Sequence, residues 1–82
     1  MTTVRIELCF FAALRERLGA RACRDVPRGT TLGALWHEVA AGIPGLDRLP
    51  VRFAIRERYV EPSYALRRDA EVAVFPPVSG GL

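Results

Sequence analysis

Glu71-Val72-Ala73-Val74-Phe75-Pro76-Pro77-Val78-Ser79-Gly80-Gly81-Leu82 is a strand that runs without interruption into a tail. Val72 and Val74 fall on one side of the period-two pattern, Ala73 and Phe75 on the other. Pro76-Pro77 then ends the pairing, because proline has no N–H to give to a ladder. A strand that leads straight to a tail is best rooted inside the sheet, beside the first strand. The Gly80-Gly81 pair has almost no packing value. It makes sense if the backbone is threaded into another protein and the Gly81 carbonyl is the reacting group. Leu82 stands against this, since it turns the Gly81 carboxyl into an ordinary amide.

The rest of the chain supplies the sheet and its filling. Val4, Ile6, Leu8 and Phe10 alternate with Arg5, Glu7, Cys9 and Phe11, which predicts a first strand with one buried face. Ala12–Leu18 reads as a short helix, with Leu14 and Leu18 four apart and Gly19 as its stop. Arg21–Val26 reads as a second strand closed by Pro27 and the Arg28-Gly29 turn. Thr30 or Thr31 can cap the main helix. Leu32, Leu35, Trp36 and Val39 follow its apolar spacing, and Gly42 and Pro44 end it. Ile43–Leu49 reads as a loop. Val51, Phe53 and Ile55 form a third strand, and Arg56-Glu57-Arg58 turns into a short fourth at Tyr59-Val60. Pro62–Ala70 is expected to be a loop with one helical turn around Tyr64–Leu66. The order is β-(short α)-β-α-β-β-β. It describes an α+β domain: a mixed sheet of four to five strands packed on one main helix. The expected division is a domain over residues 1–76 and a flexible tail over 77–82.

Composition narrows the function. Eighty-two residues make one small domain, and half of them are hydrophobic, so a single core is possible without staples. No apolar run approaches the ~20 residues needed to span a membrane. The N-terminus lacks the pattern of a signal peptide, so a cytoplasmic location is expected. All twelve basic residues are arginines, and the formal net charge is +3. With no lysine, nothing can be joined to this chain through a side-chain isopeptide bond, so branched chains of copies are excluded. The arginines are scattered and not interleaved with aromatics, which argues against nucleic acid. Cys9 and Cys23 are too few and too widely spaced for a metal site, and read as small apolar residues. If their strands pair they could lie near each other, but a reducing compartment argues against a bridge. His37 sits mid-helix and reads as structural or solvent-facing. No metal is expected, and no cofactor bound by this chain.

Two stretches carry a resemblance. Phe10-Phe11-Ala12-Ala13-Leu14-Arg15-Glu16-Arg17-Leu18-Gly19 and Glu71–Gly81 resemble the two ends of the small, sulfur-carrying subunits of molybdopterin synthase. Thr31-Leu32-x-x-Leu35 sits where that family has its helix, so the likeness spans essentially the whole chain. The resemblance implies a ubiquitin-like β-grasp fold. It implies that an activating enzyme of the ubiquitin-activating type uses ATP to adenylate the terminal glycine carboxylate. Sulfur transfer would then make a glycyl thiocarboxylate at Gly81. The large synthase subunit would receive the tail and bring the sulfur to cyclic pyranopterin monophosphate, and two deliveries would build the dithiolene.

The chemistry suits the residues. A carboxylate is a poor electrophile, and adenylation gives it a leaving group. Val78–Gly81 extended reach roughly 13 Å, enough to enter a neighbouring pocket. Pro76 and Pro77 stiffen the exit and limit the entropy lost on threading. Phe11 and Phe75 fall on the sheet face opposite the core and are expected to form an apolar patch beside the tail, completed by Tyr59 and Arg15. In the family the matching positions lie against the large subunit. Packing of the two rings under a loop of the domain is the alternative. Two features depart from the family pattern: Arg56 replaces the usual asparagine, and Asp69-Ala70-Glu71 replaces Gly-Asp-Glu. Leu82 departs more seriously: it is removed by a peptidase, is an expression remnant, or blocks the carrier. The other readings are a carrier for another sulfur pathway (thiazole, cysteine or tRNA thiolation), a ubiquitin-like protein modifier, and a binding module with no terminal chemistry.

Overall fold

The computed structural model describes residues 2–77. Its elements are β1 (Thr3–Phe10), α1 (Ala13–Leu18), β2 (Arg21–Pro27), β3 (Thr30–Thr31), α2 (Leu32–Ala40), a 3₁₀ turn (Leu46–Arg48), β4 (Arg52–Ile55), β5 (Arg58–Val60), β6 (Ala65–Leu66) and β7 (Ala70–Phe75). Five strands form one sheet in the order β2-β1-β7-β4-β5. β1 and β7 are parallel at its centre, while β2, β4 and β5 run antiparallel to their neighbours. The sheet is therefore mixed, and α2 lies across one face as the α+β reading expects.

Alternation along the two central strands decides which face is closed. Val4, Ile6, Leu8 and Phe10 of β1 and Val72 and Val74 of β7 are buried, and their neighbours are not. Leu32, Leu35, Trp36 and Ala40 of α2 meet them, with Leu14 of α1, Leu46 and Phe53 closing the ends. The Trp36 ring leans on Phe10 at 6.5 Å between centroids. α2 begins where Thr31 accepts the Ala34 N–H on its side-chain oxygen at 3.2 Å, a cap contributing about 1 kcal/mol. It stops at Ala40, just ahead of Gly42 and Pro44.

Two expectations on the connecting segments need correction. Tyr64–Leu66 is not a helical turn. Ala65 and Leu66 instead pair antiparallel with Thr31 and Thr30 in a second, two-stranded sheet. Gly29 donates to the Leu66 carbonyl, and Leu32 and Gly33 donate to those of Tyr64 and Pro62. Those long-range donors hold the segment extended, because the N-terminal amides of α2 have no partner within the helix. Part of the expected Ile43–Leu49 loop is wound as the 3₁₀ turn.

β1 and β2 do pair, but Cys9 faces Arg21 and Cys23 faces Glu7, so the thiols are not opposite each other and both are free. Among the described residues no helix is long and apolar enough to cross a membrane. The expected tail residues Val78, Ser79, Gly80, Gly81 and Leu82 lie outside the described residues.

Candidate functional site

The register of β7 builds an aromatic cluster on the face that α2 leaves open. In the parallel β1–β7 pair, Phe10 stands beside Val74, and Phe11 donates its N–H to the Val74 carbonyl at 3.2 Å. The next residue on each strand, Phe11 and Phe75, is thereby set side by side on the open face. Their rings stack with centroids 4.8 Å apart and planes 13° from parallel. Tyr59 meets Phe75 edge-on at 6.4 Å. Packing under a loop is not what happens: Phe11 is 42% exposed and Tyr59 68%. Offset and edge-on pairs of this kind add about 0.5–1.5 kcal/mol beyond the area they bury. The cluster is thus a preformed surface.

The chain pays for this placement at Ala12. Its φ of 54° is uncommon for a residue with a Cβ, and it turns the backbone from β1 into α1 directly after Phe11. Gly19 ends α1, donating its N–H to the Arg15 carbonyl at 2.8 Å.

Among the described residues, the cation seated on a ring of the cluster belongs to Arg52. Its Cζ lies 5.5 Å from the Tyr59 centroid. Arg52 faces Phe75 across the β4–β7 pair. Arg15, expected at this rim, stands exposed on α1. Sequence reasoning missed Arg52, although a signal existed. Once Phe53 is assigned to the core, Arg52 and Ala54 must lie on Phe75's face.

Away from the tail, the open face becomes polar. Arg21 Nη1 donates to Glu7 Oε2 at 2.7 Å and lies 3.5 Å from Glu71 Oε2. Cys9 Sγ lies 3.6 Å from the same Glu71 oxygen. Partial burial, then the Glu71 charge, raise the Cys9 pKa, with Arg21 opposing in part. A thiol held in its protonated form is a weaker nucleophile than a thiolate. His37 is exposed on α2, its Nδ1 3.8 Å from Asp47 Oδ2. No group of three or more potential metal ligands occurs among the described residues.

Pro76 and Pro77 follow Phe75 directly, so the exit toward the tail adjoins the aromatic cluster. The ThiS family pattern matches residues 8–81, almost the whole chain and both ends of this site. The chain belongs to the ThiS family. It is 36% identical to the human molybdopterin synthase sulfur carrier subunit over 94% of each chain. The solution structure of the Haloferax volcanii HVO 2177 protein is similar to it with a TM-score of 0.81 at 32% identity, covering 96% of this chain and 88% of that one. Caldiarchaeum subterraneum ubiquitin shares the fold with a TM-score of 0.66 at 17% identity, over 98% of this chain and all of that one. The fold is therefore the ubiquitin-like β-grasp, and the chain is a sulfur carrier of the molybdopterin synthase family.

Proposed function

We propose that the C-terminal Gly81 carries sulfur for the assembly of the molybdenum cofactor. An activating enzyme of the ubiquitin-activating type joins the Gly81 carboxylate to the α-phosphorus of ATP, and pyrophosphate leaves. Hydrosulfide then attacks the acyl carbon, AMP leaves, and a thiocarboxylate remains. The large subunit of molybdopterin synthase receives the tail. The thiocarboxylate sulfur attacks a side-chain carbon of cyclic pyranopterin monophosphate and displaces an oxygen substituent. Water then cleaves the acyl–sulfur bond, leaving the sulfur on the precursor and a free carboxylate on Gly81. Whatever follows Gly81 must be cut away first, so a peptidase that removes Leu82 belongs to the scheme. ATP is used by the activating enzyme, and this sulfur chemistry needs no cofactor on the carrier chain itself.

The observation that carries this reading is the stacked Phe11–Phe75 pair at the root of the tail. An exposed aromatic pair rimmed by an arginine has the composition of an interface hot spot. Here it is fixed to the central strand, so docking it sets where the next residues go. Pro76 and Pro77 restrict the first step out of the sheet. Val78, Ser79, Gly80 and Gly81 then thread the channel, and the glycines let its walls close on the backbone. In this scheme Phe11, Tyr59 and Phe75 meet the large subunit, and Arg15 lies at the edge of the contact.

The test uses the chain ending at Gly81, loaded as thiocarboxylate and mixed with the large subunit and the precursor. Loss of the sulfur from the carrier with formation of the dithiolene is expected. A thiocarboxylate that persists while the precursor stays unchanged would sink the assignment. In that case thiazole, cysteine or tRNA thiolation would be the next acceptors to try.

A further inference from the structure

At the other end of β7, an open cavity of about 850 Å³ lies between the β4–β5 turn and the β6–β7 segment. It flanks Ala70 and Glu71, roughly 17 Å of strand away from Phe75 and the tail. Its volume is in the range of small-molecule sites, about 300–1,000 Å³. The wall is formed in part by Arg56, Arg67 and Arg68, with Tyr64 beside them.

The wall carries three arginines against two carboxylates, an excess of positive charge. Both carboxylates also have other partners. Asp69 accepts the Arg5 backbone N–H at 2.8 Å, and Glu71 lies 3.5 Å from Arg21. The ion pairs found among the described residues involve Arg5, Arg21 and His37, and none involves Arg56, Arg67 or Arg68. The wall is also held in place. Arg28 Nε donates to the Arg67 carbonyl at 3.1 Å, and Gly29 N–H to the Leu66 carbonyl at 2.7 Å. Arg56 sits at φ 53°, where asparagine or glycine is more comfortable.

We propose that this cavity binds a nucleoside polyphosphate. One carboxylate satisfies a single guanidinium fork, whereas three arginines lining one open space suit an anion with oxygens spread along a chain. An oligophosphate has that form. Tyr64, 44% exposed on the same wall, offers a ring face on which a base can stack. The site lies at the opposite end of β7 from Phe75, so a contact made at the aromatic cluster leaves it open. It is independent of the sulfur chemistry.

The experiment titrates the full chain with ATP at physiological ionic strength and follows backbone amide shifts by NMR. Saturable shifts clustered at residues 56 and 64–71 are expected. The variant carrying Arg56→Gln, Arg67→Gln and Arg68→Gln should bind at least tenfold more weakly, and Tyr64→Ala about threefold. The Arg17→Gln variant should bind like the parent. Tripolyphosphate should bind several-fold more weakly than ATP, and citrate more weakly again. Equal affinity for tripolyphosphate and ATP would overturn the nucleoside assignment, and equal affinity for citrate the phosphate assignment. Shifts spread over all arginines, or affinity unchanged in the triple variant, would overturn the site. Amide dispersion like the parent's establishes that each variant is folded.

Discussion

The two faces of the sheet come from alternate residues of the same strands, yet they are built to different rules. On the closed face, Ile6, Leu8, Val72 and Val74 are at most 1% exposed, and the buried residues around them are hydrophobic. On the open face, Glu7, Cys9, Glu71, Ala73 and Phe75 stand at the intervening positions of β1 and β7, and the character changes along the strands. One end holds the Arg21–Glu7 pair, the other the stacked rings of Phe11 and Phe75. The closed face sets the fold, and any residue of the right size and polarity serves there. The open face offers a contact whose worth depends on its place beside the tail. Substitutions on one face should therefore change stability, and on the other binding.

The largest effect is expected from Leu8→Ala on the closed face. Loss of the buried side chain and the cavity left behind should cost about 2–5 kcal/mol in urea unfolding. Phe11→Ala, almost next to it in sequence but on the open face, should behave in the opposite way. Its stability should fall only by the loss of one ring pair, about 0.5–1.5 kcal/mol, while affinity for the large subunit falls at least tenfold, about 1.4 kcal/mol or more. A Phe11→Ala protein as destabilised as Leu8→Ala would mean that the rings are core. A smaller loss, about 1 kcal/mol with binding unchanged, is expected from Thr31→Ala, which removes the α2 cap. Ala12→Gly should stabilise by about 0.5–1 kcal/mol, since glycine tolerates the positive φ without strain.

The smallest effect concerns Cys9. Its pKa is raised by partial burial and then by Glu71. The raised value favours the folded state while the thiol is protonated. That contribution is present below the unfolded pKa and is lost as pH rises through the folded one. At mildly alkaline pH, Cys9 should therefore alkylate more slowly in the folded protein than in urea. Equal rates would show that neither burial nor Glu71 holds the thiol protonated.

What could be read from the sequence follows the same division. β1, α2 and β7 announce themselves by period, because one side of each is buried and burial leaves an apolar stripe. The Phe11–Phe75 pair was legible once β1 and β7 were taken as neighbours. β6 was not legible, because Ala65 and Leu66 are extended by their pairing with Thr31 and Thr30, which no local pattern encodes. Arg52 was missed for a related reason. Its place over Tyr59 depends on the registers of β4 with β5 and with β7, which a single sequence does not display.

The account rests on the claim that one atom of this chain, the carbonyl carbon of Gly81, takes up sulfur. Intact-mass analysis tests it directly, on the chain ending at Gly81 after incubation with the activating enzyme, ATP and a sulfur donor. The expected result is a mass increase equal to one oxygen exchanged for one sulfur, localised by fragmentation to the Gly81 carboxyl and abolished without ATP. An unchanged mass, or sulfur found on Cys9 or Cys23 with the Gly81 carboxyl intact, would contradict it.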